Sequence, residues 1–354
     1  MMKRTVLGTV AFAFTQVLCS SAPASAQQAP SSNAIPVTAD NFVRAESDRY
    51  FGVVEKEGGF GKLNHRRALM PIDKQTVVRT NLDTLYSTAL FDLDAGPVTI
   101  TLPDAGKRYR AMLMVTEDHY MPMILHDAGD YTFNRKQFDT RYVLAEFRTF
   151  VDPNDPKDME QVYALQDAIK INQPGGPGRL ELPNWDQASL KKVRDALLVL
   201  NSTLPDLRRA SGLPGQVDPV RHLIATASAW GLNPDKEAIY LNVAPTRNDG
   251  TTIHRLSVKD VPVDGFWSII VYNAEGYVPP NSFNFYTLNN ITAQKGADGS
   301  VIVQFGGCDG KIPNCIPIVK DWNYMVRLYR PRAELLNDTW KFPEAQPVNL
   351  EGSR

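Results

Sequence analysis

Polar side chains crowd the β-like stretch Arg79-Thr80-Asn81-Leu82-Asp83-Thr84-Leu85-Tyr86-Ser87. Buried without partners, such groups would cost about 1–3 kcal/mol each, so they must bond to one another or face a wet cleft. In the first case they pin a strand end against neighbouring structure. In the second, Asp83 is an acid or base while Asn81 and Tyr86 read a ligand's polar groups. Arg79 is structural if paired with Asp83; left free, it can hold a carboxylate through two parallel hydrogen bonds.

A second group, Glu117-Asp118-His119-Tyr120, follows the run Tyr109 to Val115. Strand alternation would send Glu117 and His119 to one face and Asp118 and Tyr120 to the other. Should the strand end there, a carboxylate and an imidazole at a sheet rim make a general acid–base pair that His126 can join. The competing reading is a hydrogen-bonded surface histidine. No H-E-x-x-H or H-x-H spacing occurs, and no metal site is assigned. Further on, Trp267, Tyr272, Asn273, Asn281, Asn284, Tyr286 and Asn289 mix rings and amides around turns. That mixture suits stacking on sugar rings with amides reading hydroxyls, and it suits an Asn-rich β core equally. Arg327 shares a strand face with Met325 and Tyr329, either paired with an acid of the first half or open to a cleft.

The expected site therefore has Asp83, Glu117 and His119 as catalytic residues and Arg79, Asn81, Tyr86, Trp267, Tyr286 and Arg327 as ligand contacts. A crevice between two domains is where they would meet. No G-x-S-x-G elbow is present, and the Gly-rich loop at 174–178 lacks the Lys-Ser/Thr ending of a phosphate loop. No cofactor is called for.

Elements that could position such a site alternate in texture along the chain. Phe42, Tyr50, Val53 and Val54 recur at helical spacing, with Thr38 placed to cap the helix. From Gln75 to Phe150, short β-rich runs are broken by turns at Asp94-Ala95-Gly96-Pro97, Pro103-Asp104-Ala105-Gly106 and Asp127-Ala128-Gly129-Asp130. Three helix starts follow: Asp155-Pro156, Asp186 and Asp218-Pro219. The stripe Leu190, Val193, Leu197, Leu200 marks the second. Strands return at 239–243, 253–258, 266–272, 301–305 and 324–329, without interleaved helices. The fold class is mainly β with a helical bridge (α+β), built as two antiparallel β domains, the second a sandwich or jelly roll. The expected boundaries are 38–180 for the first domain, 181–234 for the bridge and 235–343 for the second, with a Pro-rich strap after Trp340.

Location and partners follow from the start of the chain and its charge. Lys3-Arg4, the apolar run Val6 to Leu18 and Ala24-Ser25-Ala26 have the form of a secretory signal peptide over residues 1–26, which places the mature protein in the periplasm or outside the cell. Cys308 and Cys315 then form an even pair across a Gly- and Pro-bearing loop, read as a disulfide. A formal net charge of −1 carries no basic stripe, so nucleic acid is excluded as a partner, and no later segment is apolar enough to span a bilayer. A homo-oligomer is left open.

Several motifs carry a resemblance. Val78 to Ser87, Arg141-Tyr142-Val143, Asp152 to Asp155-Pro156 and Ala164-Leu165-Gln166-Asp167 resemble the domain-of-unknown-function family 1254. Asp264 to Ser268, Tyr272 to Tyr277, Asn284 to Asn290 and Val326 to Pro331 resemble family 1214. The resemblance implies an exported bacterial protein of two β-rich domains with a jelly-roll-like C-terminal half, and it brings no reaction with it. The function expected is binding, with hydrolysis or elimination, of a small polar molecule or glycan; the alternative is a non-enzymatic envelope binding or assembly module.

Overall fold

In the computed structural model, which describes residues 33–348, helix α1 (Phe42–Lys56) precedes the first strands. The expected leader at residues 1–26 lies outside the described residues. The chain divides at Ala34, and everything below belongs to the unit that begins at Ile35. Eight strands follow α1: β1 (Asn64–His65), β2 (Thr84–Asp92), β3 (Val98–Leu102), β4 (Arg110–Thr116), β5 (Met123–Leu125), β6 (Gly129–Phe133), β7 (Tyr142–Phe150) and, after helix α2 (Pro156–Asp167), β8 (Lys170–Asn172). They make two antiparallel sheets, β1-β2-β7-β4-β5 and β6-β3-β8. The nine-residue ladder from Thr84↔Phe150 to Asp92↔Tyr142 is the spine of the larger one.

Alternation along that ladder gives the sheet two different faces. Ala89, Phe91, Met112, Met114, Val143, Ala145 and Phe147 pack against Val98, Ile100 and Leu102 of β3. Leu90, Leu113, Val115 and Leu144 take the other face and seat α1 through Phe51 and Val54. Tyr86, Glu146 and Arg148 continue this second face beyond the helix, since each lies an even number of residues from Leu90 or Leu144.

Helix α3 (Gln187–Asn201) and helix α4 (Pro219–Ser228) then cover a further side of α1, burying Phe42 and Ala45 against Leu190, Leu197 and Ile224. This second contact explains why the stripe expected on α1 is shifted: Val53 is exposed, while Glu46, Ser47 and Asp48 are buried. Thr38 does not cap the helix either; its own N–H donates to the Asn41 side chain, and Asn41 is the N-cap residue. The three later helices start where expected. Asp155, Asp186 and Asp218 each accept a backbone N–H from the first turn, contacts worth about 1 kcal/mol apiece. Leu200, expected on the α3 stripe, is exposed at the helix end.

The C-terminal half holds β9 (Ala238–Val243), β10 (His254–Val258), β11 (Trp267–Tyr272), β12 (Thr287–Asn289), β13 (Val301–Phe305), β14 (Cys315–Ile316), β15 (Asn323–Tyr329), the short helix α5 (Ala333–Leu336) and β16 (Gln346–Pro347). Sheets β14-β13-β10-β16 and β12-β11-β15-β9 stack as a sandwich around Leu256, Val258, Ile269, Leu288, Val303, Phe305 and Leu328. Pairing is antiparallel except between β13 and β14. The chain is thus mainly β, with α3 and α4 between two β domains. Cys308 and Cys315 are bonded and close the turn from β13 to β14. The Pro-rich tail is an ordered strap: β16 pairs with β10, and the Ala345 N–H donates to the Tyr324 hydroxyl.

Candidate functional site

One cross-strand row decides what the sandwich presents to the first half. The registers Asn289↔Ser268, Ser268↔Arg327 and Arg327↔Tyr240 put four polar side chains side by side on the face away from the sandwich core. The segment ending at Asp83 lies across this row. Asp83 Oδ1 accepts from Thr287 Oγ1 (2.7 Å) and Asn289 Nδ2 (3.1 Å). Arg327 Nη2 donates to the carbonyl of Arg79 (2.7 Å) and to the Tyr272 hydroxyl (2.8 Å), which itself donates to the Thr80 carbonyl. Both charges are buried, Asp83 at 0 % exposure and Arg327 at 3 %. Burial pushes the Asp83 carboxyl up from its ordinary value, against the Thr287 and Asn289 hydrogen bonds and the attraction of Arg327. The Ser268 hydroxyl lies beside the Asp83 carboxylate and also holds its pKa down, whereas Arg327 Nη1 has no hydrogen-bond partner. Asp83 and Arg327 therefore tie the two halves together from inside.

Beside this pair lie the hydroxyls of Tyr86, Tyr240 and Tyr329. Asn81 Nδ2 donates to Tyr86 OH (3.3 Å) and Tyr329 OH (3.1 Å), and Asn233 Nδ2 donates to Tyr240 OH (3.0 Å). Asn233 occupies the Tyr240 oxygen, the two hydrogens of Asn81 Nδ2 are shared among Tyr86, Tyr329 and Thr84 Oγ1 (2.9 Å), and none of the three phenol O–H groups has an acceptor among the described residues. Arg148 sits among them, its guanidinium 5.6 Å from the centre of the Tyr86 ring. It is fixed by Glu146 Oε1 (2.7 Å from Nε) and by the Gly231 carbonyl (2.8 Å from Nη2). Asn81, Tyr86, Glu146 and Tyr240 keep partial exposure, while Tyr329 and Arg148 are buried. Burial raises the pKa of Tyr240 and Tyr329, and the neighbouring phenols add to it. These two phenols stay protonated at neutral pH and act as donors.

The other expected site residues are placed apart. His119 has 0 % exposure at the strand-end turn, with φ +59°. Its Nε2 accepts the Gly231 N–H (2.8 Å), so the proton is on Nδ1 and is donated to Thr226 Oγ1 (2.9 Å). The ring stacks on Trp230, and burial together with His222 pushes its pKa well below the ordinary value. It is a neutral, fully bonded side chain. His126 bonds to Glu237 and to the Arg110 carbonyl. Trp267 is buried in the sandwich core against Phe342. Tyr286 donates to Asn284 at the surface, and Arg79 is held by Asn323 Oδ1 (3.0 Å) over the Tyr272 ring. Of the expected ligand contacts, the structure brings together Asn81 and Tyr86, with Arg327 and Asp83 as their neighbours.

Glu117 lies at a different place, a cleft of about 300 Å³ beside α1, whose lining includes Arg44, Asp48, Thr140, Arg141 and Tyr142. Its Oε2 accepts the Tyr142 N–H (3.1 Å), and Arg44 is 3.5 Å from its Oε1. Burial raises both Glu117 and Asp48, the latter to about 6. Among the described residues, no group of three or more His, Cys, Asp and Glu is placed to hold a metal ion.

Three residues at the junction escaped sequence reasoning but left a trace in it. Glu146-x-Arg148 interrupts the apolar run Tyr142 to Phe150 on one face, which marks a strand face that is not simply core. Tyr240 is the lone polar ring of an apolar strand start. Asn233 carries no signal, because its role depends on a contact seven residues away across a turn.

Residues 60–173 match the family model described as protein of unknown function (DUF1254), and residues 239–333 match that of DUF1214. Together these spans exceed half of the chain. The chain belongs to the DUF1254 and DUF1214 families. The junction site uses both matched regions: Asn81, Tyr86, Glu146 and Arg148 come from the DUF1254 span and Tyr240, Arg327 and Tyr329 from the DUF1214 span. The fold is similar to that of the VPA0106 protein from Vibrio parahaemolyticus, with a TM-score of 0.68 and 15% identity over 88% of this chain and 98% of that one. An uncharacterized protein from Burkholderia cenocepacia is more distant, with a TM-score of 0.45 and 12% identity over 82% and 85% of the two chains. No curated protein matches the sequence.

Proposed function

We propose that this DUF1254–DUF1214 protein is an exported binding protein whose domain junction takes a small, neutral, hydroxyl-rich ligand of the sugar or polyol kind. The observation that carries this reading is the set of three phenol hydroxyls around Arg148, each within reach of an amide donor and each with its own proton free to donate. Arg148 is balanced by Glu146 and Arg327 by Asp83, so the site has little uncompensated charge for a free anion. Tyrosine and amide groups supply stacking area and hydroxyl readout together. Binding is favoured over hydrolysis or elimination. Acid–base catalysis needs a group that titrates near the working pH, whereas Tyr240 and Tyr329 stay protonated and Arg148 stays charged.

The leader and the Cys308–Cys315 bond support a location outside the cytoplasm. Mature protein should begin at Gln27 and show no free thiol when denatured. A retained leader or two reactive thiols would remove the export reading. For the site, calorimetric titration against monosaccharides, polyols and small carboxylates is the direct test. Tyr240→Phe should weaken binding by about 1 kcal/mol, near fivefold, while leaving the melting temperature within a few degrees. Selective binding of carboxylates, or a Tyr240→Phe variant of unchanged affinity, would overturn the neutral-ligand reading.

A further inference from the structure

Arg148 holds a place at the junction that its ion pair does not explain. Its side chain is only 9 % exposed, and two of its three nitrogens are spent: Nε donates to Glu146 Oε1 (2.7 Å) and Nη2 to the Gly231 carbonyl (2.8 Å). Nη1 makes no hydrogen bond among the described residues, yet unlike Arg327 Nη1 it is not sealed from solvent. The hydroxyls that face this guanidinium are those of Tyr86, Tyr240 and Tyr329, whose protons are free to donate. This corner of the junction therefore offers donors alone, the N–H groups of Nη1 and the phenol O–H groups. Free acceptors belong to its neighbours: Glu146 Oε2 and Asn233 Oδ1 make no hydrogen bond among the described residues and keep contact with solvent.

We infer that Arg148 Nη1 and the phenol O–H groups receive a carbonyl oxygen, which makes the ligand of the junction a neutral hydroxy-ketone of the open-chain sugar kind rather than a simple polyol. The inference rests on the neutral-ligand reading of the junction and narrows it. A carbonyl oxygen has two lone pairs and no proton, so it meets a corner made of donors and leaves nothing of its own unpaired. A ligand hydroxyl in the same place brings a proton that faces only other donors, and it is desolvated without return. Hydroxyls flanking the carbonyl have Glu146 Oε2 and Asn233 Oδ1 to donate to. A carboxylate fits the donors but not the charge, because Glu146 already answers Arg148 and would stand close to a second anion. Arg148 should contribute most to the choice, since a hydrogen bond from a charged donor is about twice as strong as a neutral one.

The test is calorimetric titration of the full mature chain at pH 7.5 with a matched series in which a single oxygen function changes: erythrulose with a ketone, erythritol with a hydroxyl and erythronate with a carboxylate. Erythrulose should bind at least tenfold more tightly than erythritol, the size of effect expected when buried donors are left unpaired. Arg148→Lys keeps a cation for Glu146 but loses the outward arm of the planar fork, and it should shrink that ratio at least fivefold. Should that variant fail to fold, Tyr86→Phe leaves the ion pair intact and decides instead: it should weaken erythrulose at least threefold more than erythritol. Equal affinity for ketone and polyol, no binding of the ketone, or a ratio unchanged in the folded variant would overturn the inference and leave the neutral-ligand reading to its own titration. Preference for erythronate would overturn both.

Discussion

Asp83 and Asp48 are two buried aspartates with opposite surroundings. Each is pushed up by burial, Asp83 against hydrogen bonds from Thr287, Ser268 and Asn289 and Asp48 against one from Trp185. Asp83 has Arg327 as its counter-charge, itself buried and itself left with an unpartnered Nη1. Asp48 has Glu117 as a neighbour of like charge, while the nearest cation, Arg44, is engaged elsewhere. The first charge is answered within the fold, and the second sits beside charges of its own sign. A buried acid therefore says little about function until the group that answers its charge has been found.

Removing each carboxylate should give effects of opposite sign. Asp83→Ala strips Thr287 and Asn289 of their acceptor and leaves the Arg327 charge buried alone, so urea denaturation at pH 7.5 should show a loss of about 3–5 kcal/mol. A loss under 1 kcal/mol would mean that Arg327 finds other compensation and that the two aspartates are alike after all.

Asp48→Asn should instead stabilise the apo protein at pH 7.5, by about 2–3 kcal/mol. With its folded pKa near 6, above the unfolded value, Asp48 binds a proton more readily folded than unfolded. Its contribution is therefore most favourable below about pH 4 and is lost as pH rises through 6. Denaturation curves for wild type and variant should nearly coincide at pH 4 and separate by pH 7.5. A variant less stable at pH 7.5 would show that the Asp48 charge is already answered inside the fold.

Local signals in the chain proved more legible than distant ones. The caps Asp155, Asp186 and Asp218, the five C-terminal strands and the Cys308–Cys315 pair depend on residues a few positions apart, and each lies where its spacing implies. The polar run around Asp83 was also visible, including the two outcomes open to it. Which outcome applied was not, because the answer rests on Asn289, 206 residues away. Neighbouring residues took both: Asp83 became a closed strut, and Asn81 and Tyr86 kept partial exposure. His119 misled for a related reason. The strand does end before it, as a sheet-rim site requires, but the left-handed turn sends the ring inward under Trp230. On α1, the buried Asp48 three residues before Phe51 was a readable anomaly that a search for apolar spacing passes over.

Asn81 is the residue through which the closed strut and the open group communicate. Its Oδ1 accepts the Asp83 N–H (3.0 Å), while its Nδ2 reaches Tyr329 OH across the junction. Should the two halves act as one unit there, Asn81→Ala and Tyr329→Phe would remove a shared hydrogen bond, and a double-mutant cycle on stability would show coupling of about 1 kcal/mol. The single variants should each cost about as much as one buried hydrogen bond, so the coupling would be a large part of either. Additivity within about 0.3 kcal/mol would mean the Asn81–Tyr329 contact contributes nothing across the junction. In that case the Asp83 strut and the phenol hydroxyls beside it would be energetically separate, and the difference between the two aspartates would concern stability only.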